Sequence, residues 1–162
     1  MTQLHRVTVY IDGFNLYYAL LKPTPSLKWL DLAALGNALR PNCAVSVRYF
    51  TAKVRPVPDP DSVTRQRLYL RALETLQPWV TIDYGHFTAH QVRMALVNPL
   101  PIGPRTALVW KTEEKGSDVN IATRLLLDGQ DDRYDEASSY PEIQTLWSQS
   151  ARPIVATDPF TC

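Results

Sequence analysis

A chain of 162 residues, 45% of them hydrophobic, is long enough to bury one core and shows no composition shift at which to divide it, so one compact domain is expected. Its 17 basic and 16 acidic side chains nearly cancel, which excludes a whole-protein field able to hold nucleic acid without a local site. Cys43 and Cys162 have neither metal-ligand spacing nor the density of a secreted disulfide scaffold, and the first apolar run ends at Asp12, far short of a membrane span. A cytoplasmic protein with no membrane partner is expected.

Arg6 to Ile11 is rich in β-branched and aromatic residues and apolar on both alternating faces, the pattern of a central strand. Phe14 to Leu21 puts Leu16, Tyr17, Leu20 and Leu21 at helical spacing, and Pro23 and Pro25 stop that helix. Asp31 can cap a second helix with a Leu32, Leu35 and Leu39 stripe. Ala44 to Val54 reads as a strand, and Asp61 can cap a helix with Tyr69, Ala72, Leu73 and Leu76 inward. Trp79 to Tyr84 is a third strand. Gly85 to Arg105, with several prolines, reads as an irregular excursion before a strand from Thr106 to Lys111. Ser117 then caps a helix from Asp118 to Asp128, with Ile121, Ala122 and Leu125 inward. Alternating strands and helices imply an α/β sandwich on a largely parallel sheet.

In such a sheet the functional crevice lies beyond the carboxyl ends of the strands, where Asp12 leaves the first one. Gly13 permits a sharp turn and Asn15 opens the next helix; an ordinary turn with a cap explains these residues equally well. Asp118 shares a helix face with Ile121, Ala122 and Leu125 and is expected to point towards the sheet, although the helix dipole alone would also favour an acid there. Two inward acids from distant segments suit a hard divalent cation, which offsets their repulsion and can activate water against a phosphodiester.

Tyr10-Ile-Asp-Gly-Phe-Asn-Leu-Tyr-Tyr18 resembles the opening motif of the NYN domains of the PIN-like nuclease superfamily, and Glu114-Lys-Gly-Ser-Asp-Val119 resembles their second motif. Tyr49-Phe50-Thr51-Ala52 and Arg65-Gln66 are similar to the pattern between. Over residues 6 to 137 the resemblance implies a PIN-like three-layer α/β sandwich, a magnesium or manganese ion and RNA cleavage. It assigns catalysis to Asp12, Asn15 and Asp118, and metal binding to Asp12 and Asp118. Glu114 and Lys115 belong to the same motif.

The family pattern next requires an apolar strand and a serine-led motif with further acids, and neither follows Tyr134-Asp135-Glu136-Ala137 here. A reading frame shifted at the last base of the Ala137 codon permits Ile-Val-Ile-Ser-Gly-Asn-Ser-Asp, which is similar to the missing motif. Residues 1–137 are therefore expected to form the domain, and 138–162 a divergent or out-of-frame tail, with Asp158 given no metal role.

Arg48, Lys53, Arg55, Arg65, Arg67 and Arg71 concentrate positive charge mid-chain, as a phosphate guide or as an ordinary solvated face. Arg65, Lys111 and Lys115 are the candidate substrate contacts. Tyr17, Tyr18 and Trp29 can stack on bases, with core packing favoured for Tyr17. His86 and His90 make a weak zinc pair, and no glycine-rich phosphate loop is spelled. The expected function is a metal-dependent endoribonuclease acting on RNA. The alternatives are a non-catalytic RNA-binding module or an inactive truncated nuclease, with a homodimer left open.

Overall fold

The computed structural model describes residues 4–57 and 59–139. Expectations for 140–162, including the shifted-frame motif and Asp158, lie outside the described residues. The main sheet has four strands in the order β3-β2-β1-β6, all parallel: β1 (Arg6–Asp12), β2 (Ala44–Thr51), β3 (Val80–Tyr84) and β6 (Glu136–Ser139). The helices are α1 (Gly13–Leu16), α2 (Leu32–Leu39), α3 (Ser62–Glu74) and α4 (Ser117–Gln130). A separate antiparallel pair, β4 (His86–Ala95) and β5 (Thr106–Lys115), completes the set.

Strand alternation divides the main sheet into two chemically different faces. Val7, Val9 and Ile11 of β1, Val45, Val47 and Tyr49 of β2, and Val80 of β3 form one, buried against Leu16, Leu21, Leu32, Leu35, Leu70 and Leu73. Asp31 starts α2 as expected, accepting the backbone N–H groups of Ala33 and Ala34. Gly36 lets that helix lie close, since a Cβ there would meet Val45 Cγ1 at 2.9 Å.

The other face is polar and carries α4. Thr8 and Ser46 hydroxyls lie 2.9 Å apart across β1 and β2. Tyr10 donates its hydroxyl to Asp128 Oδ2 at 2.9 Å, while Arg48 donates to Asp128 Oδ1 at 2.8 Å and to Asp83 at 3.1 Å. Arg124 donates to the other Asp83 oxygen at 3.1 Å. The Asp128 side chain is only 4% exposed, so its charge is matched within the protein rather than by water. Arg48, expected in a basic phosphate guide, is thus already neutralised by two acids.

At the sheet edge Arg6 donates to Asp132 and Asp135, which clasps β6 to β1. A hollow of about 370 Å³ lies here, lined by Leu4, His5, Arg6, Asp132 and Asp135, at the amino-terminal end of β1.

Several expectations change. The excursion from Gly85 to Arg105 is the first arm of a ten-residue hairpin pair, and Thr106–Lys115 joins that pair rather than the main sheet. Within a strand His86 and His90 are about 13 Å apart along the chain, too far for one zinc ion. The helix after Asp12 gives way to a π-helical turn at Tyr17–Leu21, so the two core residues are Leu16 and Leu21, five apart, and Tyr17 turns outward at 44% exposure. Gly116, at φ 97°, precedes α4 in place of a Ser117 cap. Glu136-Ala-Ser-Ser139 does form a strand, supported by pairing to β1 and by the Arg6 clasp rather than by apolar side chains. No helix among the described residues is long and apolar enough to cross a membrane.

Asp128→Ala leaves Arg48 and the Tyr10 hydroxyl short of a buried partner and is expected to lower unfolding free energy by about 3 kcal/mol, against about 1 for Tyr10→Phe, read by urea denaturation. The edge clasp is acid-sensitive. Hydrogen bonds from the Arg6 side chain, then from its backbone N–H, hold the Asp135 carboxyl at about 2, below its usual 3.8. Its stabilisation is complete above 3.8 and is lost as pH falls towards 2. The melting-temperature gap between the wild type and Asp135→Asn should therefore close over that interval.

Candidate functional site

Because β1, β2 and β3 are parallel and in register, Asp12, Phe50–Thr51 and Asp83–Tyr84 end at one edge of the sheet. Asp12 is 7% exposed, and its Oδ1 accepts the backbone N–H groups of Phe14 and Asn15 at 2.8 and 2.9 Å. One oxygen is thereby committed to capping α1. Gly13 is required by close approach: a Cβ there would lie 2.5 Å from the Tyr49 ring and 2.9 Å from the Phe50 carbonyl. Burial, then the nearby Asp12 charge, pushes the Tyr49 hydroxyl well above its ordinary pKa and keeps it protonated.

The hairpin supplies the opposite wall. Phe87 stacks on Phe14 with centroids 5.8 Å apart and planes 16° from parallel. Phe87 pairs across the hairpin with Glu114, whose Oε1 is turned against Gly85, 2.8 Å from where a Cβ would stand. Asn120 Nδ2 approaches the same glycine position at 3.8 Å. Glu114 Oε1 and Ser117 Oγ are both buried without a hydrogen-bond partner, the costly condition for a polar atom. Three segments therefore meet: Asp12 and Phe14 after β1, Gly85 and Phe87 after β3, and Glu114, Ser117 and Asn120 around the start of α4.

The sequence-derived residues divide within this frame. Asp12 sits at the crevice, and Asn15 contributes its backbone N–H while the residue itself is exposed. Asp118 is exposed: Ile121 and Leu125 face inward as expected, but Ala122 and Asp118 do not, and Ser117, Asn120 and Asp128 complete the inward side of α4. Among the described residues no group of three or more His, Cys, Asp or Glu side chains is placed to hold a metal ion. Arg65 is paired with Asp59, while Lys111 and Lys115 reach Glu113 at 2.6 and 3.7 Å. Phe14 and Ser117 fall inside the two NYN-like motifs without being singled out as site residues, and Gly85, Phe87 and Asn120 carry no such mark in the sequence. Only the pairing of β4 with β5, and the turn of β3 into β4, brings them together.

No protein-family model matches the chain, and no solved structure does. The fold defines a mixed α/β protein with a parallel four-stranded sheet, and the candidate crevice lies at the carboxyl ends of its strands. A more particular likeness is to 6-hydroxy-3-succinoylpyridine 3-monooxygenase HspA of Pseudomonas putida, 32% identical over 157 residues. The match takes in 82% of this chain and 50% of that protein, so the chain spans half the length of its relative. These findings overturn the expected membership of the NYN domains and the metal-dependent ribonuclease activity, since the matched protein is named for oxygen chemistry. Nothing in the comparisons supports the RNA-binding module or the truncated nuclease. The magnesium or manganese ion is withdrawn with them, because the acids proposed to hold it do not form a ligand group.

Gly13→Ala is expected to cost about 1–3 kcal/mol through overpacking against the Tyr49 ring and Phe50 carbonyl, measured by denaturation. An unchanged stability would mean that the β1–α1 turn has room that the geometry denies it.

Proposed function

We propose that this chain serves an oxygenase reaction on hydroxylated N-heteroaromatic acids, and that the sheet-edge crevice receives the ring. The observation that carries the reading is the match to a monooxygenase over 82% of the chain. A monooxygenase joins one atom of dioxygen to a substrate carbon and reduces the other to water, with two electrons and two protons from a donor. In a 6-hydroxypyridine, removing the hydroxyl proton drives electron density into the ring, onto the carbon para to it, and so activates the ring towards an electrophilic oxygen.

The crevice residues suit that task. Phe14 and Phe87 offer aromatic faces to a flat ring. Glu114 Oε1 has no existing hydrogen bond to give up, so a swing of its carboxylate towards a ring hydroxyl breaks nothing and relieves a buried orphan. Ser117 offers a second unpartnered group, and Asp12 holds the turn in place through its cap. Lys115, 65% exposed, is available to a substrate carboxylate at the rim. Among the described residues no glycine-rich loop is present to cradle the phosphates of a redox group. The six glycines stand singly at 13, 36, 85, 103, 116 and 129, and spell no phosphate loop.

Calorimetric titration of the purified chain with 6-hydroxy-3-succinoylpyridine is expected to give saturable binding that Glu114→Gln weakens about tenfold or more, as loss of a charge-assisted hydrogen bond requires. Absence of saturable binding by the intact chain would overturn the reading.

A further inference from the structure

The β4–β5 hairpin stands apart from the rest of the fold. Beyond the Phe14–Phe87 stack and the turn at Gly85, neither strand makes more than isolated contacts with another described element. It belongs to a two-stranded sheet, so both of its edges are unpaired among the described residues. A hairpin alone is marginal in water, and a long open edge is a template for another strand. Leu108 and Trp110 of β5 are 59% and 48% exposed.

The two edges differ in charge. β4 carries His86, His90 and Arg93 with no acid, so pairing with its own copy offers no complementary charges. β5 carries Lys111-Thr-Glu113, which is complementary to itself when reversed. In an antiparallel pair with Thr112 on the two-fold axis, Lys111 of each copy stands opposite Glu113 of the other. Residues two apart share a strand face, and directly opposed residues share it too, so the four charges form one quartet of alternating sign. Lys111 and Glu113 already meet at 2.6 Å within one strand, which confirms their common face. Residues 109–115 then pair with 115–109, and the stem of Lys115 covers Val109 of the other copy.

We propose that β5 is a self-recognition edge, through which a second copy of this chain joins antiparallel about Thr112 to make a continuous four-stranded sheet. The two copies bury an isologous edge, as closed dimers do. This inference is independent of the oxygenase reading, because association and ligand binding are measured separately.

Charge-swap sedimentation tests it. The wild type is expected to show a monomer–dimer equilibrium, and Glu113→Lys or Lys111→Glu alone to weaken self-association about tenfold or more by opposing like charges. An equimolar mixture of the two variants restores both ion pairs and should recover the dimer, which also shows that each variant is folded. A wild type that stays monomeric at every concentration would overturn the proposal. So would variants that dimerise as well as the wild type, or a mixture no tighter than its components.

Discussion

The fold depends on how one carboxylate is accommodated. Asp128, almost fully buried, receives the Tyr10 hydroxyl from β1 and the Arg48 guanidinium from β2, and so ties α4 to two neighbouring strands at once. An unpaired charge at this depth would be severely unfavourable. Its partners therefore have to be in place whenever α4 is docked. Asp83 and Arg124 extend the same network to β3 and back to α4. The helix is consequently held by directional bonds, which fix its register over the sheet in a way that an apolar contact would not.

That register has a functional consequence at the other end of the helix. With Asp128 anchored inward, helical spacing brings Leu125, Ile121, Asn120 and Ser117 to the same side and leaves Asp118 outside. The first turn of α4 then delivers a hydroxyl and an amide to the crevice, beside the Glu114 carboxylate from β5. The aromatic stack of Phe14 on Phe87 closes the opposite side. The crevice is thus assembled by a charge buried far along the same helix, and its residues come from three separate crossings of the sheet edge.

Much of the main sheet was legible in the sequence because its strands are short apolar runs bounded by prolines and caps. Val7-Thr-Val-Tyr-Ile11 and Asp31 before Leu32 announce their elements directly. The hairpin was not, since most of His86–Ala95 is solvent-facing and lacks an alternating apolar pattern. The inward face of α4 was legible only in part, at Ile121 and Leu125, for a related reason. Ile121, Ala122 and Leu125 suggested an apolar stripe, whereas the deciding residue is a polar one, Asp128, whose partner Arg48 lies eighty positions away. Asp12 was correctly placed at the sheet edge, yet its visible work is to cap a short helix, and sequence spacing alone did not separate that role from chemistry.

The unlike faces of the sheet respond oppositely to temperature. The apolar layer beneath α2 and α3 draws on the hydrophobic effect, which weakens on cooling. The seam beneath α4 draws on desolvated ions, whose dehydration penalty falls on warming. Heating therefore favours the charged seam relative to the oily one, and cooling works against the oily one first. The molecule is in this sense a bimetallic strip, two bonded layers with different thermal responses, and the crevice lies along the edge where they meet.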